Sequence, residues 1–243
     1  MIALGLMLAL VTSASPSAPA ELPIYLMEVP PLTINAPERK GLVGDIVIEA
    51  IKRAGYQPRI IVVPNNRALT VVASPDMHDT LIIPLARLEE REPKYTWIAP
   101  IVKVNRGFFS TKRQVHSFDE ARVSFTLIGV ARGTAGISIL HREGFDDKQI
   151  YELNQGEGAL KMLMMGRIDA WYGPIAEGRA MLKAINAPDK VAISSPLGPT
   201  FNYLGCSKIC DPAIVARLAG ALKEMEADGT SKAIRLKYGD LEQ

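Results

Sequence analysis

Arg91 and the pair Gly133–Thr134 are the residues whose types and settings point most directly to chemistry. Arg91 stands in the charged run ARLEEREP, residues 86–93. A planar guanidinium holds a carboxylate by two parallel hydrogen bonds, a geometry that a lysine ammonium does not reproduce. Beside Glu89, Glu90 and Glu92, the same arginine also fits a solvated charged turn. Gly133–Thr134 follows the apolar run IGVA (128–131) and opens a helical pattern. A hydroxyl residue at that place caps the first N–H groups or, with the positive end of the helix, holds an anion.

The composition excludes other chemistries. The chain has 243 residues, 48% hydrophobic and 22% charged, which fits a globular protein and not a disordered or collagen-like one. With 28 Lys+Arg against 26 Asp+Glu the net charge is +2, and no basic run makes a footprint for nucleic acid. His78, His116 and His141 lie far apart, so no metal site is expected. No Gly-rich lysine loop for a nucleotide phosphate occurs, and no cofactor is expected.

Residues 2–11 (IALGLMLALV) are an unbroken apolar run followed by small residues and by Ala18-Pro19-Ala20. A short apolar core before an A-x-A site reads as a secretory leader, residues 1–20, although no Lys or Arg precedes it. Its length falls short of the roughly 20 apolar residues that a transmembrane helix needs. The alternative is a buried N-terminal helix. Export to an oxidising compartment makes a bridge between Cys206 and Cys210 the favoured reading of GCSKICDP, over a pair of free thiols. A zinc site would need two further ligands, and none lies nearby in sequence.

The elements that must position these residues alternate. Strands are expected at 22–27, 59–63 and 80–83, with helices at 45–54 and 67–73, the first ending at Gly55. A second block places strands at 125–131, 149–153, 168–172 and 191–194, with helices from Gly133–Thr134 to 142, at 157–165 and from Pro174 to 184. Two amphipathic helices follow over 212–238. Segments 105–111 and 200–207 read as extended crossings between the blocks. The fold class is therefore α/β, with two lobes. Each is a mostly parallel sheet flanked by helices, and two hinge crossings join them. Residues 21–110 and 200–243 are assigned to lobe 1 and 111–199 to lobe 2. Ligands of such sheets sit at the carboxyl ends of strands, which makes the cleft between the lobes the place to look.

Three segments resemble the bacterial extracellular solute-binding proteins of family 3. LARLEEREPKYTWIAP (85–100) is similar to the family's Thr-Pro-Glu-Arg-Glu-like run before an aromatic strand. IGVARGTA (128–135) resembles its Gly-Val-x-x-Gly-Ser/Thr turn. ALKMLMMGRIDAWYG (159–173) resembles its Ala-Leu-x-x-Leu-x-x-Gly-Arg-x-Asp-Ala signature, and VARLAGALKEM (215–225) its C-terminal helix. The likeness covers most of residues 21–240. It implies a type 2 periplasmic-binding fold, with Arg91 and Thr134 meeting the ligand's carboxylate and Asp169 serving a structural role. It further implies a monomer in the periplasm that serves the permease of an ABC transporter.

Two departures bear on the ligand. The family's aspartate that pairs with an α-ammonium falls at Pro174, and its serine-rich run is replaced by Ile83-Pro84-Leu85-Ala86-Arg87. Glu28 is a candidate replacement anion, while Arg87 and Arg67 are candidate further cations, which tilts the balance toward an anionic ligand. Tyr172 is the aromatic chosen to face the cleft, and Trp97 is assigned to the core. The rival reading is an enzyme on the same scaffold, similar to a periplasmic cyclohexadienyl dehydratase, with Glu28 or His141 as acid or base. A ligand-sensing module is the third.

Overall fold

The computed structural model describes residues 18–154 and 158–239. The expected leader over 1–20 lies almost wholly outside the described residues. In chain order the elements are β1 (Glu21–Met27), α1 (Leu42–Arg53), β2 (Gln57–Val63), α2 (Asn65–Val72), β3 (Leu81–Ala86), β4 (Tyr95–Val104) and β5 (Arg106–Ser110). They continue as α3 (Phe118–Ser124), β6 (Ile128–Ala131), α4 (Ala135–Arg142), β7 (Ile150–Leu153), α5 (Ala159–Met164) and β8 (Ala170–Pro174). The last are α6 (Ile175–Ala184), β9 (Ala192–Ile193), β10 (Thr200–Ser207), α7 (Pro212–Ala227) and α8 (Thr230–Tyr238).

Two five-stranded sheets form, in the orders β2-β1-β3-β10-β4 and β7-β6-β8-β5-β9. The βαβ connections make β2-β1-β3 and β7-β6-β8 parallel, while β10 and β5 run antiparallel to their neighbours. Helix α1 forms because Leu42, Val43, Ile46, Val47, Ala50 and Ile51 recur at helical spacing and bury one face. Gly55 stops it in a left-handed conformation, φ 85°. That face packs with Leu218 and Met225 of α7 and Ile234 of α8 against the first sheet, and Ala68 and Val72 of α2 cover the opposite face. In the second sheet alternate residues separate cleanly. Phe108 and Tyr172 enter one core with α4, and Phe109 and Trp171 enter the other with α5 and α6.

The two crossings lie elsewhere than expected. Residues 106–110, assigned to lobe 1, are a strand of the second sheet paired with β8, so the chain passes between lobes at Asn105. Segment 200–207 is the fourth strand of the first sheet, and the return crossing is 194–199. Both segments are apolar and extended, and their buried N–H and C=O groups must pair within a sheet rather than hang in a linker. Helix α3 falls in a stretch where the sequence pattern marks no element; Ser117 caps it by accepting the N–H of Glu120.

Cys206 and Cys210 are joined by a disulfide, tying the end of β10 to the turn before α7. Among the described residues no helix is long and apolar enough to cross a membrane.

Candidate binding site between the lobes

Strand β3 ends at Ala86, and the chain folds back through a tight helical turn, Glu89–Lys94. Within it the N–H of Arg91 donates to the Leu88 carbonyl at 2.9 Å. The Arg91 guanidinium turns inward, and its Nη1 donates to the Ala86 carbonyl at 3.2 Å. Burial pushes its pKa down, against the pull of the Tyr95 hydroxyl and the Glu90 carboxylate.

Across the first crossing, Arg106 opens β5 opposite Pro174 of β8. It is only 5% exposed, and its Nη1 donates to Thr200 Oγ1 at the start of β10. Burial pushes this guanidinium down to about 10; Tyr172 and Glu177 support the charge, and the charge of Arg91 opposes it. The anchors of the two guanidinium groups lie close together on the first sheet: Ala86, which holds Arg91, pairs with Asn202 of β10, two residues from Thr200, which holds Arg106. Among the described residues neither guanidinium has a carboxylate within 4.0 Å, since every ion pair of that length involves other groups. The partly buried Glu177, in the first turn of α6, is the nearby acid; burial pushes its carboxyl up to about 7, with Arg106 opposing. It borders a small cavity at the hinge with Val29, Pro31, Leu32, Asn105 and Pro174; the volume, about 20 Å³, suits one water molecule.

The second lobe contributes the turn between β6 and α4. Gly133 adopts φ 74°, a conformation that side chains with a Cβ resist. A Cβ built there would overlap Asn66 Oδ1 and approach Asn65 Cβ to 3.1 Å, so this turn lies directly against the start of α2 in the first lobe. Thr134 occupies the N-cap position of α4, yet its hydroxyl donates to the Ala131 carbonyl at 2.7 Å and caps no helical N–H. Helix α2 also begins without a side-chain cap, behind Pro64. Two helix N-termini therefore meet across the lobe boundary, each with a partial positive charge and uncapped N–H donors. Asn65 Oδ1 is buried there without a hydrogen-bond partner. Glu90 completes the contact: burial acts to raise its carboxyl, but a hydrogen bond with Ser138 of α4 and the charges of Arg91 and Lys94 hold it below the usual range.

The other candidates fall outside this arrangement or serve structure. Tyr172 does not line the cleft. It is 1% exposed, packs on Phe108 with ring centroids 4.8 Å apart, and its hydroxyl donates to the Leu197 carbonyl at 2.8 Å. Alternation along β8 turns it into the core beneath α4, where an aromatic gains more from packing than from solvent. Arg87 is not a free cation: its Nε and Nη2 fork onto Glu92 at 2.6 and 3.1 Å, over the rings of Trp97 and Tyr203. The bond to Glu92 and its contact with Tyr203 hold its pKa well above the usual value. Trp97 is only partly buried and lines this stack.

Arg67 is exposed in the first turn of α2, beside the meeting of the two helix ends, with no ion-pair partner among the described residues. Glu28 is exposed after β1 and accepts the N–H of Asn35 at 3.5 Å. His141 lies near the other end of α4 from Thr134, about 10 Å along the axis, facing Asp147 at 3.6 Å. Asp169 accepts the N–H groups of Thr126 and Leu127 at 2.8 and 3.0 Å and pairs with Lys112, which fixes the start of β6. Among the described residues no three His, Cys, Asp or Glu side chains converge on a metal position.

Arg106 and Glu177 escaped the sequence reading. The available signals were an arginine in the mixed segment VKVNRGFF, just before two phenylalanines, and a glutamate in the first turn of a helix behind Pro174.

No family model and no curated relative matches the chain in sequence. Solved structures do match. The P235GK mutant of the arginine-binding protein from T. maritima superposes with a TM-score of 0.74 at 17% identity, covering 88% of this chain and 93% of that one. The arginine-, lysine-, histidine-binding protein ArtJ of Geobacillus stearothermophilus gives 0.74 at 16% identity, with the same 88% and 93% coverage. The GluR0 ligand-binding core from Nostoc punctiforme, in complex with L-glutamate, gives 0.72 at 17% identity, covering 90% and 99%. At these identities the likeness concerns the fold, which is that of the type 2 periplasmic binding proteins.

Proposed function

We propose that the protein is a solute-binding protein that closes its two lobes on a small carboxylate-bearing ligand, an amino acid or a related organic acid. The observation that carries this reading is the approach of Arg91 and Arg106 across the lobe boundary. Two desolvated like charges repel, and the N-termini of α2 and α4 add positive potential at the same boundary. An anion between the lobes turns that repulsion into attraction on both sides, so it favours the closed arrangement over the open one. The ligands named for the similar structures, arginine and glutamate, both carry a carboxylate, which supports the same class.

The reading extends to location and partner. The apolar leader and its A-x-A site support export to the periplasm, and a monomer there would present its ligand to the permease of an ABC transporter. ATP hydrolysis would then belong to other subunits.

The test is a thermal-shift screen of the ligand-stripped protein against amino acids, dicarboxylates, polyamines and aromatic acids. A ligand that binds only the folded state adds about 2.7 kcal/mol at a hundredfold excess over Kd. A hit that disappears in Arg91→Ala supports the reading. A flat screen, or a hit indifferent to Arg91, overturns it.

A further inference from the structure

We infer that Arg106 is a specificity-determining residue of the cleft and that, with Arg91, it selects a ligand carrying two carboxylates, one for each lobe. This inference rests on the binding reading above and names its ligand class.

Arg91 and Arg106 are anchored on neighbouring strands, through Ala86 of β3 and Thr200 of β10, and Ala86 pairs with Asn202, two residues from Thr200. On the cationic side stand Arg91 and Arg106, with Arg67 exposed at the start of α2. On the acidic side, Glu90 is engaged by Ser138, and Glu177 is held partly protonated near neutral pH by its burial. Pro174, which pairs with Arg106 across β5 and β8, brings no charge. A ligand with a single carboxylate neutralises one guanidinium and leaves the other as a desolvated, unpaired cation, the costly state for a buried charge. An added ammonium group raises that cost, because the carboxylate nearest to Arg106 is only partly ionised.

Two carboxylates remove the imbalance. Each guanidinium has five N–H donors in a planar fork. Arg106 spends one on Thr200 and Arg91 one on the Ala86 carbonyl. Because Arg91 belongs to the β3–β4 segment and Arg106 begins β5, a molecule held by both spans the crossing at Asn105. Its two ends thereby engage different lobes, which couples recognition of the second carboxylate to closure.

The experiment is isothermal titration of the ligand-stripped protein at neutral pH with malonate, succinate, glutarate and adipate, and with butyrate as the single-carboxylate control. The expected result is that at least one dicarboxylate binds 100-fold or more tighter than butyrate. Arg106→Met should bring that ligand to within about threefold of butyrate while butyrate itself is unchanged. Arg106→Lys, which keeps the charge and loses the fork, should cost roughly 10-fold. It also serves as the second variant should Arg106→Met fail to fold, as judged by circular dichroism. The inference is overturned if butyrate binds within tenfold of the best dicarboxylate, if no dicarboxylate binds, or if the preference survives in both variants. Binding of a mono-carboxylate amino acid that needs Arg91 but not Arg106 would overturn this inference alone. Indifference of every carboxylate to Arg91 would remove the underlying reading as well.

Discussion

Gly133 of the second lobe lies against Asn66 of the first, so close that a methyl group at Gly133 would displace the Asn66 side chain. In Gly133→Ala the left-handed φ of 74° costs about 1–2 kcal/mol for a residue with a Cβ, whatever the arrangement of the lobes. The overlap with Asn66 is relieved by rotation of that exposed side chain. The variant should therefore lose about 1–2 kcal/mol in chemical denaturation, set by the backbone conformation. An unchanged denaturation midpoint would remove the left-handed conformation of Gly133 from the account.

Glu177 gives the protein a pH-dependent stability with a definite sign. Burial pushes its carboxyl up to about 7 from the ordinary 4.5, so between these values the folded chain holds a proton that the unfolded chain has released. Stability at this site therefore falls as pH rises through that window. Glu177→Gln should reduce the fall by at most about 3 kcal/mol, at roughly 1.4 kcal/mol per unit. Urea denaturation of both proteins at pH 4.5 and pH 8 measures it. The same stability difference at the two pH values would contradict the assignment.

Tyr172 separates packing from binding. Tyr172→Phe keeps the ring contacts with Phe108 and Phe118 and deletes the bond to the Leu197 carbonyl. The cost should be about 1–2 kcal/mol of stability, as for a buried acceptor left without its donor. Ligand affinity should stay within about twofold. A tenfold loss of affinity without a loss of stability would return Tyr172 to the cleft.

The bridge between Cys206 and Cys210 closes a short loop, for which the chain-entropy estimate is about 2 kcal/mol. Cys210→Ala should lower the denaturation free energy by about that amount. A reductant should then lower the midpoint of the parent protein and leave the variant unmoved. A parent midpoint insensitive to reductant would show that the bridge adds nothing to stability.

The sequence by itself determined the alternation of strands and helices, because the period of apolar residues is a local property. The spacing of Leu42, Ile46, Val47 and Ile51 fixes a helix, and the short apolar runs around Ile24 and Val130 fix strands, without reference to the rest of the chain. Gly55 likewise announces its helix end through its own backbone freedom. The arrangement of Gly133 and Thr134 between strand and helix was legible for the same reason.

What only the tertiary structure decided is which strand joins which sheet and which charges meet. Residues 106–110 and 200–207 are equally extended and apolar. Their places in opposite lobes follow from pairing partners more than 60 residues away in β8 and more than 90 away in β4. Arg87 and Arg91 differ by four positions in one charged run, yet one forks onto Glu92 at the surface and the other turns inward. Arg106 is marked in its own segment only as an arginine before the apolar pair Phe108-Phe109. Its importance comes from burial and from the approach of Arg91, and desolvation and Coulomb energy depend on distances that the order of residues does not contain.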